Sequence, residues 1–435
     1  MQNKREYWGS YTGFIFAAVG SAVGLGNIWR FPYIVGTNGG SAFLIPYLII
    51  IFSFGLALMI MEFAVGRHYQ TSIITSFEKI RKRFRWLGTI MVGVAFAILS
   101  YYMVILGWII SYFVLMLSGS SLEFESFTGS WYPVMSFLAV LGINYIVVRT
   151  GISKGIERLN RIGVLVIVAI MVPLLILGLS LPGAESGLEF YLKPDFSKVS
   201  DPGIWSVAFG QAFFSLSIGT GILLTYGSYL REKRSLVSSS LIVIIADFFF
   251  AFIAGLMIFS IVFAFGIDPA EGTSLVFIAM PSIFSHMEFG MIIGASFFLL
   301  LLIAGLTTSI SIFQLPVASL GDSFGFSRKK SSLIIALLLL AVGLPSALSY
   351  SALNLQAFGV PFLDVMDSMF GTFGIAISAA IFVIVVGWFM QKEKIMEQVN
   401  LNSPFKIPNW LLIVVKVVAP VLIISTILMQ IVGII

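Results

Sequence analysis

The chain contains no cysteine, only two histidines and few charges, with Asp, Glu, Lys and Arg making up 10% of its 435 residues. An average soluble protein carries about 25% charged residues. The absence of cysteine excludes disulfides, thiolate metal centres and thiol catalysis together. His68 and His286 lie far apart and neither belongs to an HExxH ligand pair. No GxxxxGK phosphate loop ending in Ser or Thr occurs, and GLGNIW fails the GxGxxG pattern, so ATP-driven and dinucleotide chemistry have no support. The scarcity of charge excludes a soluble globular enzyme, and nothing in the pattern calls for an organic cofactor or a nucleic acid.

What the chain does have is apolar length, 59% of it being hydrophobic. A bilayer-crossing helix needs about 20 mostly apolar residues, so about eleven would use roughly half the chain and leave only loops and termini. The apolar runs are continuous rather than alternating, which argues against a β-barrel. An all-α polytopic membrane protein follows, because only helices satisfy their own backbone in lipid. Spans are expected near Thr12–Val35, Ala42–Val65, Gly88–Leu117, Pro133–Val148, Ile162–Leu181 and Ile204–Leu230. The series continues near Leu236–Phe265, Phe289–Leu320, Ser332–Leu348, Asp367–Phe389 and Trp410–Ile434. No secretory signal peptide is expected, since Lys4 and Arg5 lead into an apolar segment too long for a signal core.

Positive charge fixes the orientation. Alternate loops and the N-terminus, assigned inside, hold 21 of the 25 Lys and Arg residues, while the outside loops hold only Lys193 and Lys198. An odd number of spans then puts the N-terminus in the cytoplasm and the C-terminus outside. The run from Arg81 to Arg85 reads as one of these cytoplasmic loops rather than a nucleic-acid patch.

Two spans are poorly suited to remain continuous helices. The first reads GSAVGLGNIWRFP from Gly20 to Pro32, and the sixth GQAFFSLSIGTGILLTYGSY from Gly210 to Tyr229. Interior Gly costs about 1 kcal/mol and Pro about 3 kcal/mol against Ala, so the first should break near Val23–Gly26. Two broken helices, one opening each set of five spans, suggest inverted repeats around a midplane site. Glycines that merely permit close helix packing are the competing explanation, and Asn27 in the same stretch weighs against it. Asp247 lies in the seventh span with long apolar runs on either side, and no Lys or Arg lies deep in any span. An acid at that depth needs a partner: a bound cation, a proton, or neighbours that hydrogen-bond its neutral form. The hydroxyl run Thr307-Thr308-Ser309 in the eighth span is weaker evidence, since such groups often bond their own helix.

At these residues the chain resembles the neurotransmitter:sodium symporters, especially their bacterial and archaeal amino-acid transporters with the leucine-transporter-type fold. The motifs are AVGLGNIWRFPY (Ala22–Tyr33), NGG (Asn38–Gly40), the Tyr101-Tyr102 pair, GQAFFSLSIGTG (Gly210–Gly221) and AGLTT (Ala304–Thr308). The resemblance implies one transporter domain over residues 1–435, with repeats at about 10–182 and 204–391 and one extra helix at about 409–435. It implies a first Na⁺ bound by the Ala22 carbonyl, Asn27, Ser215 and Asp247. A second would lie among Gly20, Val23 and Ala304 carbonyls and the Thr307 and Thr308 hydroxyls. The substrate carboxylate would meet the Leu25 and Gly26 amides and the Tyr102 hydroxyl, and the amino group carbonyls near Ala22, Phe214 and Ser215, and Thr308. Ile98, Phe214, Ser217, Thr220 and Ile312 would form the side-chain pocket, with Phe214 its lid. The outer gate would pair Arg30 with Asp367 and the inner gate Arg5 with Asp322, near Tyr229.

Three departures from the family pattern matter. Gly24 stands where monoamine carriers place Asp, which favours an α-amino acid. Ala251 stands where chloride-dependent members carry Ser, and Asp247 supplies the charge, so chloride independence is expected. Thr220 replaces a common Phe and leaves room for a larger apolar or aromatic side chain. The expected function is sodium-coupled symport of an α-amino acid by alternating access in the cell membrane. A sodium- and amino-acid-binding sensor, or a member carrying another small zwitterion, remains the alternative. A channel would show a filter motif and an enzyme a nucleophile or metal set, and neither is visible. Lack of a twelfth helix removes a surface some relatives use for dimer contact and favours a monomer.

Overall fold

The computed structural model describes residues 6–119, 123–231, 234–268, 275–351, 353–404, 406–408 and 410–432. Apart from a two-stranded ribbon at Gln356–Ala357 and Val360–Pro361, the described elements are helical. The first span is a pair, α1 (Tyr11–Ala22) and α2 (Gly26–Thr37), bent by 45° at its break. Next come α3 (Ser41–Tyr69), α4 (Lys82–Leu117), α5 (Tyr132–Arg149) and α6 (Ile152–Leu179). The sixth span is also a pair, α7 (Pro202–Ser215) and α8 (Ile222–Gly227). The remainder are α9 (Leu236–Ala264), α10 (Gly290–Phe324), α11 (Arg328–Ser349), α12 (Phe362–Phe389) and α13 (Leu411–Met429). Among the described residues nine helices, and the bent first pair as a tenth span, are long and apolar enough to cross a membrane; the α7–α8 pair takes the place of the remaining expected span in the order. The main difference is α6, which starts at Ile152 rather than near Ile162.

That earlier start has an electrostatic cause. The charges in its first turns discourage a hydropathy reading, but Glu157 is engaged: it accepts from the Gly9 amide at 2.7 Å and the Ser10 hydroxyl at 3.2 Å, and pairs with Arg161 at 3.1 Å. Ser10 in turn caps α1, accepting from the Gly13 amide at 2.9 Å.

Both breaks follow from local chemistry. At Val23 the backbone leaves the helix with ψ near 96°. The Gly24 amide then donates to Asn27 Oδ1 at 3.0 Å instead of to the Gly20 carbonyl four residues back. Between α7 and α8, Ser217, Gly219 and Gly221 all take positive φ, of 54°, 76° and 86°. A β-carbon on Gly219 would sit 2.5 Å from that of Ala379, and one on Gly221 2.6 Å from Ile73. The α3 and α8 backbones touch through glycine, since a β-carbon on Gly66 would stand 2.0 Å from the Leu224 carbonyl oxygen.

Candidate functional site: the paired helix breaks

The two breaks lie against each other. Ser217 donates to the Ser21 carbonyl at 3.3 Å, and Gln211 Nε2 to the Gly26 carbonyl at 2.9 Å. A buried carboxylate spans the second break: Glu62 of α3 is fully buried and accepts from the Gly219 amide and, at 3.1 Å, the Leu224 amide. Sequence reasoning missed Glu62, although an acid inside LALMIMEFAV carries the same signal as Asp247.

Of the residues expected to hold substrate, Ala22, Gly26, Ile98, Tyr102, Phe214, Ser215, Ser217, Thr220, Thr308 and Ile312 line one cavity of about 40 Å³. Ala95, Phe213, Ile222 and Ile375 complete its apolar wall, and the motifs did not single these out. Leu25 instead faces an adjoining cavity of about 290 Å³ that also contains Arg30, Tyr101 and Asp367. Tyr102 and Phe214 line both cavities. The Tyr102 hydroxyl is buried beside the Leu25 amide and the Thr308 hydroxyl, the two groups placed to hydrogen-bond it. Thr220 turns its hydroxyl to the Ser217 carbonyl at 2.9 Å, so its polar group is satisfied by its own loop.

Asn27, Ser215 and Asp247, distant in sequence, meet here. Asn27 Nδ2 donates to Asp247 Oδ1 at 2.7 Å and to the Asp247 carbonyl at 3.0 Å. The Ser215 hydroxyl reaches the same carboxylate at 2.9 and 3.1 Å, and Tyr47 lies at 3.5 Å. Asp247 is fully buried and makes no ion pair among the described residues. A carboxylate so placed, ringed by neutral oxygen and amide groups, suits a hard monovalent cation. Tyr47, inside an apolar run, gave no sequence signal.

The second group of oxygens lies between α1 and α10. The Gly20 carbonyl has lost its helical donor to Asn27, and Val23 caps α1 in an extended conformation. Opposite, Thr307 donates to the Ala304 carbonyl at 2.8 Å, leaving its lone pairs available, and Thr308 crosses to the Ser21 carbonyl at 3.3 Å. These carbonyls and hydroxyls again fit a hard cation.

The expected gates are arranged differently at the two ends. Arg30 and Asp367 line the larger cavity without an ion pair within 4.0 Å; Arg30 donates to Gln211 at 2.6 Å and lies 4.7 Å over the Phe214 ring. At the opposite, basic end, Arg5 lies outside the described residues. Asp322 accepts from the Ser72 amide at 2.6 Å. Tyr229 enters a chain that motifs did not reveal: its hydroxyl accepts from Gln314 at 2.7 Å, Gln314 accepts from Arg328 at 2.9 Å, and Arg328 pairs with Glu6 at 2.9 Å. The Trp8 indole donates to the Tyr226 carbonyl at 3.0 Å at the same end.

Comparison with known proteins agrees with this architecture. The sequence profile described as the sodium:neurotransmitter symporter family matches residues 5–134 and 121–434. An uncharacterized sodium-dependent transporter of Methanocaldococcus jannaschii is 35% identical over 98% of this chain and 90% of its own length. An uncharacterized sodium-dependent transporter of Bacillus subtilis is 36% identical over 84% of each chain. The crystal structure of MhsT in complex with L-phenylalanine superposes with a TM-score of 0.88, at 36% identity, covering 98% of this chain and 99% of that one. The broken helices, the oxygen clusters and these likenesses lead to one conclusion: the chain belongs to the sodium:neurotransmitter symporter family, as a sodium-dependent, multi-pass membrane transporter and not an enzyme.

Proposed function

We propose that this symporter carries an α-amino acid with an apolar or aromatic side chain, using two sodium ions, by alternating access. The observation that carries the reading is the Tyr102 hydroxyl, buried at the first break beside the Leu25 amide and the Thr308 hydroxyl. A donor at that point, together with the orphan amides that open α2, is suited to a substrate carboxylate. Gly24 supports a zwitterion over a simple amine. A β-carbon there would stand 2.3 Å from Thr308 Oγ1, so the position has no space for the carboxylate that monoamine carriers place there. Asn27 and Asp247 would hold the first sodium with Ser215 and the Ala22 carbonyl, and the α1 and α10 oxygens the second. Sodium would then favour the conformation in which the substrate site is complete, which is coupling by differential affinity.

In this reading the chain is one domain of two inverted repeats plus α13, and a monomer. The basic end, with the N-terminus, faces the cytoplasm and the C-terminus lies outside. Phe214 is the lid, Arg30 and Asp367 close the outer side, and Arg5, Asp322 and Tyr229 belong to the inner closure.

The test is uptake into liposomes under an inward sodium gradient against a potassium control, with a panel of labelled amino acids that includes L-phenylalanine, the ligand of the MhsT structure. Sodium-dependent accumulation of an apolar or aromatic member is expected; accumulation confined to charged or carboxylate-free compounds would defeat the proposal. Chloride is tested in the same vesicles. Ala251 is fully buried and offers no hydroxyl, so replacing chloride by gluconate should leave the initial rate within about twofold. A loss of most of the rate would require an anion site elsewhere.

A further inference from the structure

Asn160 of α6 is fully buried, yet only half of its amide is used. Nδ2 donates to the Ile156 carbonyl of its own helix at 2.8 Å, while Oδ1 has no partner among the described residues. Turning the amide over would set two acceptors face to face, so hydrogen-bond chemistry fixes the oxygen as the outward atom.

That oxygen meets α1 at Gly20. A β-carbon added to Gly20 would stand 2.1 Å from Asn160 Oδ1, so the oxygen occupies the space the glycine leaves. Gly20 is also the residue whose carbonyl is released when the Gly24 amide turns to Asn27. One turn further along α6, Gly163 faces Thr307, whose Cγ2 would be 2.9 Å from an added β-carbon. One face of α6 therefore packs on both walls of the oxygen cluster between α1 and α10, and Asn160 offers it an unused carbonyl-type oxygen.

We propose that Asn160 Oδ1 is a further oxygen ligand of the sodium ion held between α1 and α10. The inference rests on the two-sodium reading above and extends it to a third helix. An unpartnered oxygen in a dry interior is unfavourable unless something binds it, and a hard cation beside the Gly20 carbonyl accepts an amide oxygen as readily as a backbone one. The ion would then tie α6 to the break in α1, so that ordering of the fifth span depends on sodium.

The experiment is equilibrium binding of radioactive sodium to the purified full-length transporter, with sodium titration of tryptophan fluorescence as a second readout. Asn160→Leu keeps the branched shape and the number of heavy atoms and removes the oxygen. Asn160→Asp keeps an oxygen and adds charge. The leucine variant should raise the sodium half-saturation concentration about tenfold or more, and the aspartate variant should match wild type or bind more tightly. Opposite responses distinguish a ligand from a structural group, whose loss would weaken both variants alike. Equal weakening of both, or a leucine variant that titrates like wild type, overturns the assignment while leaving the transport reading intact. If the leucine variant does not fold, weakened binding by the aspartate variant overturns the assignment and wild-type or tighter binding supports it. A wild-type protein that binds no sodium overturns both readings.

Discussion

Asp247→Ala is expected to lower sodium affinity by about two to three orders of magnitude and to abolish accumulation in liposomes. The carboxylate is fully buried among Asn27, Ser215 and Tyr47, none of which carries charge. Removing it would leave a bound cation as an uncompensated buried charge, a situation that costs about 3–5 kcal/mol, with about 1.4 kcal/mol for each factor of ten. Asp247→Asn separates charge from shape: it retains one oxygen towards the site and should fall between wild type and the alanine variant. Sodium titration of tryptophan fluorescence and binding of labelled substrate at fixed sodium measure both effects. An alanine variant that titrates like wild type would move the first ion elsewhere.

The second large effect is expected at a residue that touches neither ion nor substrate in the proposed arrangement. Glu62→Ala removes the acceptor for the Gly219 and Leu224 amides, at the one place in the sixth span where helix bonds are missing. Each buried amide left without a partner costs about 1–3 kcal/mol, so the segment should lose roughly 3–5 kcal/mol. Because this segment also presents Ser215, Ser217 and Thr220 to the central cavity, substrate affinity should fall with thermal stability. Glu62→Gln, which keeps one acceptor oxygen, should show a smaller loss of both. The comparison is thermal unfolding in detergent, followed by tryptophan fluorescence, alongside substrate binding. An alanine variant that melts and binds like wild type would show that water or a neighbouring group satisfies these amides.

The architecture was legible in the sequence because lipid imposes a one-dimensional rule: each apolar run must be a helix, and each helix that cannot stay continuous must break where a site can satisfy it. Gly20, Gly24 and Pro32 announced the first break, and Ser217, Gly219 and Gly221 the second. What spacing could not supply was proximity. Asn27 and Asp247 are 220 residues apart, and only the resemblance to a family joined them before the structure did. Other residues stayed hidden for different reasons. Arg328 was absorbed into a cluster that obeys the positive-inside pattern, although its role is to hold Gln314 and Glu6. Gln211 lay inside a recognised motif, but its function as the bridge between Arg30 and the Gly26 carbonyl depends on two helices meeting. Glu62 was readable as a polar group in an apolar run, but not as the partner of a particular backbone segment, and Asn160, between Arg158 and Arg161, was hidden in a basic stretch ahead of the expected fifth span.

The Tyr102 and Phe214 side chains line both cavities and stand between them. Opening such a wall requires only rotation about side-chain bonds, and a half-buried ring such as Phe214 turns far faster than helices rebend. In the proposed cycle, closing Arg30 towards Asp367 and rearranging the bends at Val23 and Ser217 would belong instead to the slow, collective class of motion. In that cycle entry and commitment would be separated in time: candidate molecules would pass the ring, fail to complete the site and leave again within the waiting time of one helix movement, so selectivity would be exercised by repeated sampling before any turnover begins.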